Sequence, residues 1–287
     1  MSQIRILTDS TSDVPPELAA ELRITVVPAY IQIGNRSFPD GPVSGGLSRE
    51  QFYAQLPAMA TVPTTAVPPA YEFATAYHRL AGEADEVIAI VISSNLSGMY
   101  NAAHLGAQEV EQLKIHVVDS GQVTMGLGWM VIAAAEAAAA GKSARDILAL
   151  MEDMKPRVHV FAMLDTLEYL HRSGRVGWAR AKAAQILRVK PIVEVILGKV
   201  QDIGRTRTRH RAIDRLVELT CALGPLERLS VLHTYAPELD SLRDRLAEIG
   251  RSTSVCSPGH LFTVAATTII GAHVGPRGLG VAAVTAR

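Results

Sequence analysis

Three times in the N-terminal half, a short, mainly apolar run ends in hydroxyls and acids before a helix-forming stretch begins. The runs are Ile4 to Leu7, Val87 to Ile92 and Ile115 to Val118, followed by Thr8-Asp9-Ser10, Ser93-Ser94 and Asp119-Ser120. Runs this apolar, interrupted only by Arg5 and His116, predict parallel strands covered on both faces by helices, and ligands of such layers bind beyond the carboxyl ends of the strands. The hydroxyl clusters therefore mark the edge to watch. Pro15 and Pro16 after Asp13 suit a helix start. Gly126 to Ala140 is apolar apart from Glu136 and too short to span a bilayer, which takes about 20 residues, so it predicts a buried helix. Ile33 to Thr65 is rich in Pro, Gly and Ser and predicts long loops with a short helix near Arg49 to Leu56, an insert able to fold over a site.

The pattern changes near Lys155-Pro156, after a helix predicted for Ala144 to Met154. This places a boundary between an N-terminal α/β domain, 1–155, and a C-terminal α+β domain, 156–287, whose final segment can pack back at the interface. The second half predicts strands at Val158 to Leu164, Ile192 to Leu197, Lys199 to Arg205 turning at Gly198, Ser230 to Thr234 and Gly280 to Val284. Helices are predicted at Leu167 to Ser173, Trp178 to Leu187, Arg209 to Leu223 and Glu238 to Gly250, the third from the 3.6-residue spacing of Ile213, Leu216, Val217 and Thr220.

Charge narrows the partners. Lys plus Arg equals Asp plus Glu at 28 each, which leaves no global field for nucleic acid or an anionic membrane. Cys221 and Cys256 have neither metal-ligand nor disulfide-framework spacing, and the N-terminal apolar run is too short for a signal peptide, so a cytoplasmic setting without stable membrane insertion is expected.

The segment Ile92 to Asn101 passes from a strand end through Ser93, Ser94 and Ser97-Gly98 into a helix, where free N–H groups and hydroxyls together can hold an anion. A capped turn explains the same residues without a ligand. Thr61 to Thr65 is a second hydroxyl cluster, Arg175 follows a helix end at Gly174, and His273 stands among closely spaced glycines that include Gly275. Asp9-Ser10-Thr11-Ser12-Asp13 has the ingredients of a metal or phosphate site, and equally of a capped turn. Arg205, Arg207, Arg209 and Arg211 share one face if that stretch is extended, as a solvated face or a dock for an acidic partner.

In order and spacing these segments resemble the DegV family along nearly the whole chain. The pattern runs through Leu7 to Asp13, Ile92 to Asn101, Val118-Asp119-Ser120 with Met125-Gly126-Leu127-Gly128, Thr166 to Leu170 with Ser173 to Val176, Lys190-Pro191-Ile192, and His273 to Pro276 with Gly278-Leu279-Gly280. The resemblance implies a two-domain α/β fold, similar to the acyl-binding subunits of bacterial fatty acid kinases, with a long-chain fatty acid held between the domains. Its carboxylate would be presented to a separate fatty acid kinase. By the same resemblance the fatty-acid-binding residues are Thr65, Ser93, Ser94, Ser97, Gly98, Arg175, His273 and Gly275, with no cofactor and no metal. The chain departs from the family at Thr65-Ala66-Val67-Pro68-Pro69, where Thr-Ser-Gln-Pro-Ser is usual, and at Met99, where threonine is common.

A lipid also makes sense physically, because about a dozen buried methylenes supply on the order of 10 kcal/mol before association costs. The rival reading is a serine hydrolase using Ser94 or Ser97, His273 and Asp9 or Asp119. It lacks the Gly-x-Ser-x-Gly elbow, and no nucleotide-binding glycine loop occurs, so phosphoryl transfer would require another protein.

Overall fold

The structure, a computed structural model, describes residues 3–41, 48–182, 189–253 and 261–287. The predicted apolar runs form a four-stranded, all-parallel sheet from β1 (Ile4–Asp9), β2 (Thr25–Val27), β6 (Glu86–Val91) and β7 (Lys114–Asp119), in the order β2-β1-β6-β7. The strand order reverses between β1 and β6, so the ligand edge anticipated from the hydroxyl clusters is a topological switch point. Asp9 spans it there, accepting from the Ile92 N–H at 2.8 Å.

Helices α1 (Pro16–Glu21), α3 (Ala70–Ala81), α4 (Met99–Ala107), α5 (Thr124–Ala139) and α6 (Ala144–Met154) accompany this sheet. The α6 start is closed by a capping box in which the Ser143 hydroxyl accepts from Asp146 N and the Asp146 carboxylate accepts from Ser143 N. The apolar stretch after Val123 is the buried helix expected, α5, with every residue from Thr124 to Ala135 buried. A helix apolar all round needs neighbours on all sides. It finds them in β1 and β6 on one side and β8, β11 and β13 of the second sheet on the other. Close approach is why Gly126 and Gly128 stand in it: a Cβ at Gly128 would lie 2.5 Å from Ser12 O, and one at Gly126 2.6 Å from Val160 Cγ2.

The second half builds a six-stranded sheet in the order β10-β9-β8-β13-β11-β12. Its strands are β8 (Val158–Met163), β9 (Lys190–Ile196), β10 (Lys199–Thr206), β11 (Leu226–His233), β12 (Leu261–Ala265) and β13 (Leu279–Thr285). The β9–β10 hairpin turns at Leu197-Gly198, both with positive φ, as a two-residue loop requires. One face of the sheet packs on α5. The other buries Phe161, Met163 and Val231 against α9 (Arg209–Ala222) and α10 (Leu239–Thr253), which contribute Leu216 and Leu242. Helices α7 (Glu168–Ser173), α8 (Gly177–Lys182) and α11 (Thr268–Val274) cover the remaining approach between the sheets. The expected helix to Leu187 is seen as α8, and the part of that expectation beyond Lys182 lies outside the described residues, as does Cys256.

Two expectations are corrected. The insert read as long loops, Ile33 to Thr65, joins a three-stranded antiparallel sheet, β4-β3-β5: β3 (Tyr30–Ile33) and β5 (Thr64–Ala66) stand at its two ends and β4 (Arg36–Pro39) inside it, besides the anticipated helix α2 (Arg49–Gln55). Strands three or four residues long amid Pro and Gly carry too little periodicity to stand out. The alternating arginines do not form one extended face: β10 ends at Thr206, and Arg209 opens α9, where it pairs with Glu238 at 2.6 Å and Asp165 at 2.7 Å.

Candidate functional site

A cavity of about 570 Å³ lies between the carboxyl edge of the parallel sheet and the α5-facing side of the six-stranded sheet, roofed by α11 and the end of α7. Its volume sits inside the roughly 300–1,000 Å³ range of small-molecule pockets. The floor is one row of the sheet: Val193, Ala162, Gly280 and Leu232 are register partners on four adjacent strands, and all line the cavity. At about 4.8 Å per strand this row is roughly 14 Å long. Ala162 and Gly280 leave a trough between the larger Val193 and Leu232. Ile92, Val176, Ile269 and Ile270 add further apolar wall.

Polar groups also line the cavity, Thr11, Thr124, His233 and Thr234 besides those anticipated from sequence. Thr65 reaches it from β5, Ser94 and Ser97 from the turn between β6 and α4, Arg175 from the turn after α7, and His273 from the last turn of α11. Thr65 Oγ1 and His273 Nε2 are 3.1 Å apart and hydrogen bonded. Burial, with Arg175 nearby, pushes the imidazole down to about 4, so His273 is neutral at physiological pH. Its Nδ1 is buried without a hydrogen-bond partner among the described residues. Helix α7 ends on Gly174 in the left-handed region (φ 69°), as its sequence predicts. The next residue, Arg175, is exposed and donates to Ser173 O at 2.8 Å.

Ser94 donates its hydroxyl to the Asp119 carboxylate and its backbone N–H to the same group at 3.2 Å. Asp119 also accepts from Gly121 N at 2.9 Å, so it keeps two N–H donors if Ser94 Oγ turns toward a ligand. Ser97 is not the cap residue of α4. Gly98 holds that position, and Ser97 Oγ accepts from Met99 N at 3.3 Å.

Of the residues singled out from sequence, Thr65, Ser94, Ser97, Gly98, Arg175 and His273 share the cavity wall. Ser93 and Gly275 do not line it. Ser93 is fully buried behind the wall, its hydroxyl accepting from Asn95 N at 3.3 Å. Gly275 (φ 79°) lies where a Cβ would come within 2.3 Å of the Tyr169 ring, so its part is close packing of α11 on α7. Asn95, Ser173 and the floor row were not predicted as site residues. The sheet register that aligns the floor is invisible before strands are paired.

The Asp9 to Asp13 cluster resolves as the capped turn. Asp9 accepts from Thr11 N at 2.9 Å, and Asp13, at φ 55°, accepts from Thr124 Oγ1 at 2.5 Å and Thr267 N at 2.9 Å. Among the described residues no group of His, Cys, Asp and Glu is arranged to hold a metal ion. Among the described residues His273 bonds Thr65, Ser94 bonds Asp119 and Ser97 accepts from Met99 N, so neither serine of the hydrolase reading is hydrogen bonded to His273. Among the described residues no helix is long and apolar enough to cross a membrane.

A mixed α/β fold with a cleft at the switch point of its parallel sheet, apolar along its floor and lined also by hydroxyls, Arg and His, defines a small-molecule-binding class of protein. The family model described as uncharacterised protein, DegV family, matches residues 3–286, and the chain belongs to that family. A DegV domain-containing protein of Streptomyces coelicolor is 33% identical over 97% of both chains. Among solved structures, a DegV family protein from Thermus thermophilus described for its fatty acid binding superposes with a TM-score of 0.88 at 29% identity, covering 100% of each chain. DegV of Bacillus subtilis, described as a fatty acid binding protein, superposes at 0.87 with 27% identity, again covering 100% of each.

Proposed function

We propose that this protein binds a long-chain fatty acid in the cavity, with the carboxylate at the Thr65, Ser94, Ser97, Arg175 and His273 end and the tail along the Val193-Ala162-Gly280-Leu232 floor. The observation that carries the reading is one cavity of about 570 Å³ that combines the apolar trough with Thr65, Ser94, Ser97, Arg175 and His273, of which Thr65 and His273 are hydrogen bonded and Arg175 lies near His273. The trough replaces water around the methylenes, at about 0.8 kcal/mol each. The cluster supplies charge compensation from Arg175 and donors for the carboxylate oxygens. Neutral His273 serves as a donor through whichever nitrogen carries its proton. The fatty acid binding described for the Thermus and Bacillus relatives supports the same reading.

The chain acts as a carrier that presents the carboxylate to a separate kinase, where a carboxylate oxygen takes the terminal phosphoryl group of a nucleoside triphosphate, the bond to the bridging oxygen breaks, and an acyl phosphate and a nucleoside diphosphate result. The absence of a phosphate-binding glycine loop from the sequence supports assigning that step to a partner. Two measurements test the proposal. Denaturing extraction of purified protein followed by mass spectrometry should release a fatty acid, and delipidated protein should rebind hexadecanoic acid. Protein that is repeatedly empty and binds no added acid overturns it.

A further inference from the structure

Thr65 and His273 meet across the seam between the insert sheet and α11, and their 3.1 Å bond is not the only polar link there. At the opposite end of α11, Asp40 accepts from Thr268 N at 3.2 Å and Thr268 Oγ1 at 2.8 Å. Asp40 follows β4 directly, is 3% exposed, and donates its own N–H to Ala29 O at 2.8 Å. Within the insert sheet, Tyr30 pairs with Pro39 and Ile31 with Thr65, so Asp40 and Thr65 ride on one hydrogen-bonded body. Thr268 and His273 ride on another, five residues or about 7.5 Å apart along the helix. The two bodies are thus clamped at both ends of α11, once at the cavity and once away from it.

The clamp away from the cavity has no ligand-facing role: Asp40 and Thr268 are absent from the wall. A carboxyl at the first N–H groups of a helix is electrostatically well placed, yet burial raises this one above the usual carboxylate range despite the hydrogen bonds from Ser10 and Thr268 and the pull of Arg49. A buried acid is a costly way to join two segments when a threonine or asparagine would cap a helix in water. What it adds is one carboxylate oxygen, Oδ1, that takes both the backbone N–H and the hydroxyl of Thr268 and so fixes the helix start against the sheet.

We propose that Asp40 is a positioning residue for the head-group end, setting through Thr268 and α11 the distance at which His273 meets Thr65. The proposal rests on the fatty-acid reading above. The test compares hexadecanoic acid with hexadecan-1-ol, which shares the tail and lacks the carboxylate, by calorimetric titration of delipidated protein. Asp40→Ala should weaken the acid about fivefold, as much as losing the Thr65–His273 contact itself, and the alcohol less than about twofold, and Asp40→Asn, which keeps the acceptor, should restore the acid. Thr268→Val, which removes only the hydroxyl, should give the same acid-selective pattern at a few-fold and serves if the alanine variant does not fold. In a Thr65→Val background Asp40→Ala should add little, since neighbours acting through one contact are not additive. Equal losses for acid and alcohol, unchanged acid affinity, or full additivity would overturn the role of Asp40. A wild-type protein that binds neither ligand overturns the fatty-acid reading itself.

Discussion

The two ends of the cavity are built in opposite ways. The floor comes from a single sheet, its four residues held by backbone register, and no side chain there needs a partner. The polar lining comes from residues as far apart as Thr65 and His273, on a strand, a turn and two helix ends, and it exists only when those segments are docked. The floor is therefore preorganised by the fold, whereas the head-group cluster is an assembly whose geometry depends on distant contacts. Tail binding should tolerate changes at the polar end, and head-group discrimination should respond to changes far from the ligand.

The largest effect is expected on the floor. Ala162→Phe fills the trough between Val193 and Leu232, and hexadecanoic acid affinity should fall at least about a hundredfold, because a side chain added to a shaped cavity removes volume that nothing else restores. Calorimetric titration checks it, and a near-wild-type melting temperature would separate blocking from unfolding.

Next comes the docking of the segments. Asp13 holds both α11, through Thr267 N, and α5, through Thr124, with Arg49 at 3.5 Å. Burial pushes its carboxyl from 3.8 up to about 7, and Arg49 and Thr124 only partly oppose this. A folded-state value above the unfolded one means the native state holds the proton more tightly. The stability from this group is then fully present below about pH 4 and lost as pH rises to about 7. Urea denaturation across that window should show a decline of a few kcal/mol attributable to Asp13, and Asp13→Asn should flatten the slope there.

At the polar end, Arg175→Gln should cost about 2 kcal/mol of acid affinity, the scale of a hydrogen bond to a charged group, and leave hexadecan-1-ol binding nearly unchanged. The smallest effect belongs to Thr65→Val, about 1 kcal/mol on the acid, from the loss of one neutral hydrogen bond. If both variants weakened the alcohol as much as the acid, the division of labour between the two ends would be wrong.

The same contrast governs what could be read in advance. The parallel sheet, the buried helix after Val123, the β9–β10 turn at Gly198 and the end of α7 at Gly174 are local patterns, and each stands where its residues predicted. Six of the eight candidate site residues reach one cavity wall, because hydroxyls beyond strand ends and an arginine past a helix end are placed by short-range geometry. Ser93 is fully buried and not part of that wall although its neighbour Ser94 is, a distinction between adjacent serines that no local pattern carries. Asp40 and the Ala162-Gly280 trough escaped notice because each matters through a partner more than a hundred residues away.

Strand β13 closes the description of the six-stranded sheet in sequence order, yet it lies in the interior of that sheet, between β8 and β11. A chain made from its N-terminus presents β8, β9, β10 and β11 before the strand that joins β8 to β11 is available. The sheet cannot zip up progressively, and its closure pairs Val160 with Ala282 and Ser230 with Ala282 in one late event. Such long-range pairing slows folding. Gly280 arrives with that strand, so a lipid-ready trough is among the last features to form as the protein is born.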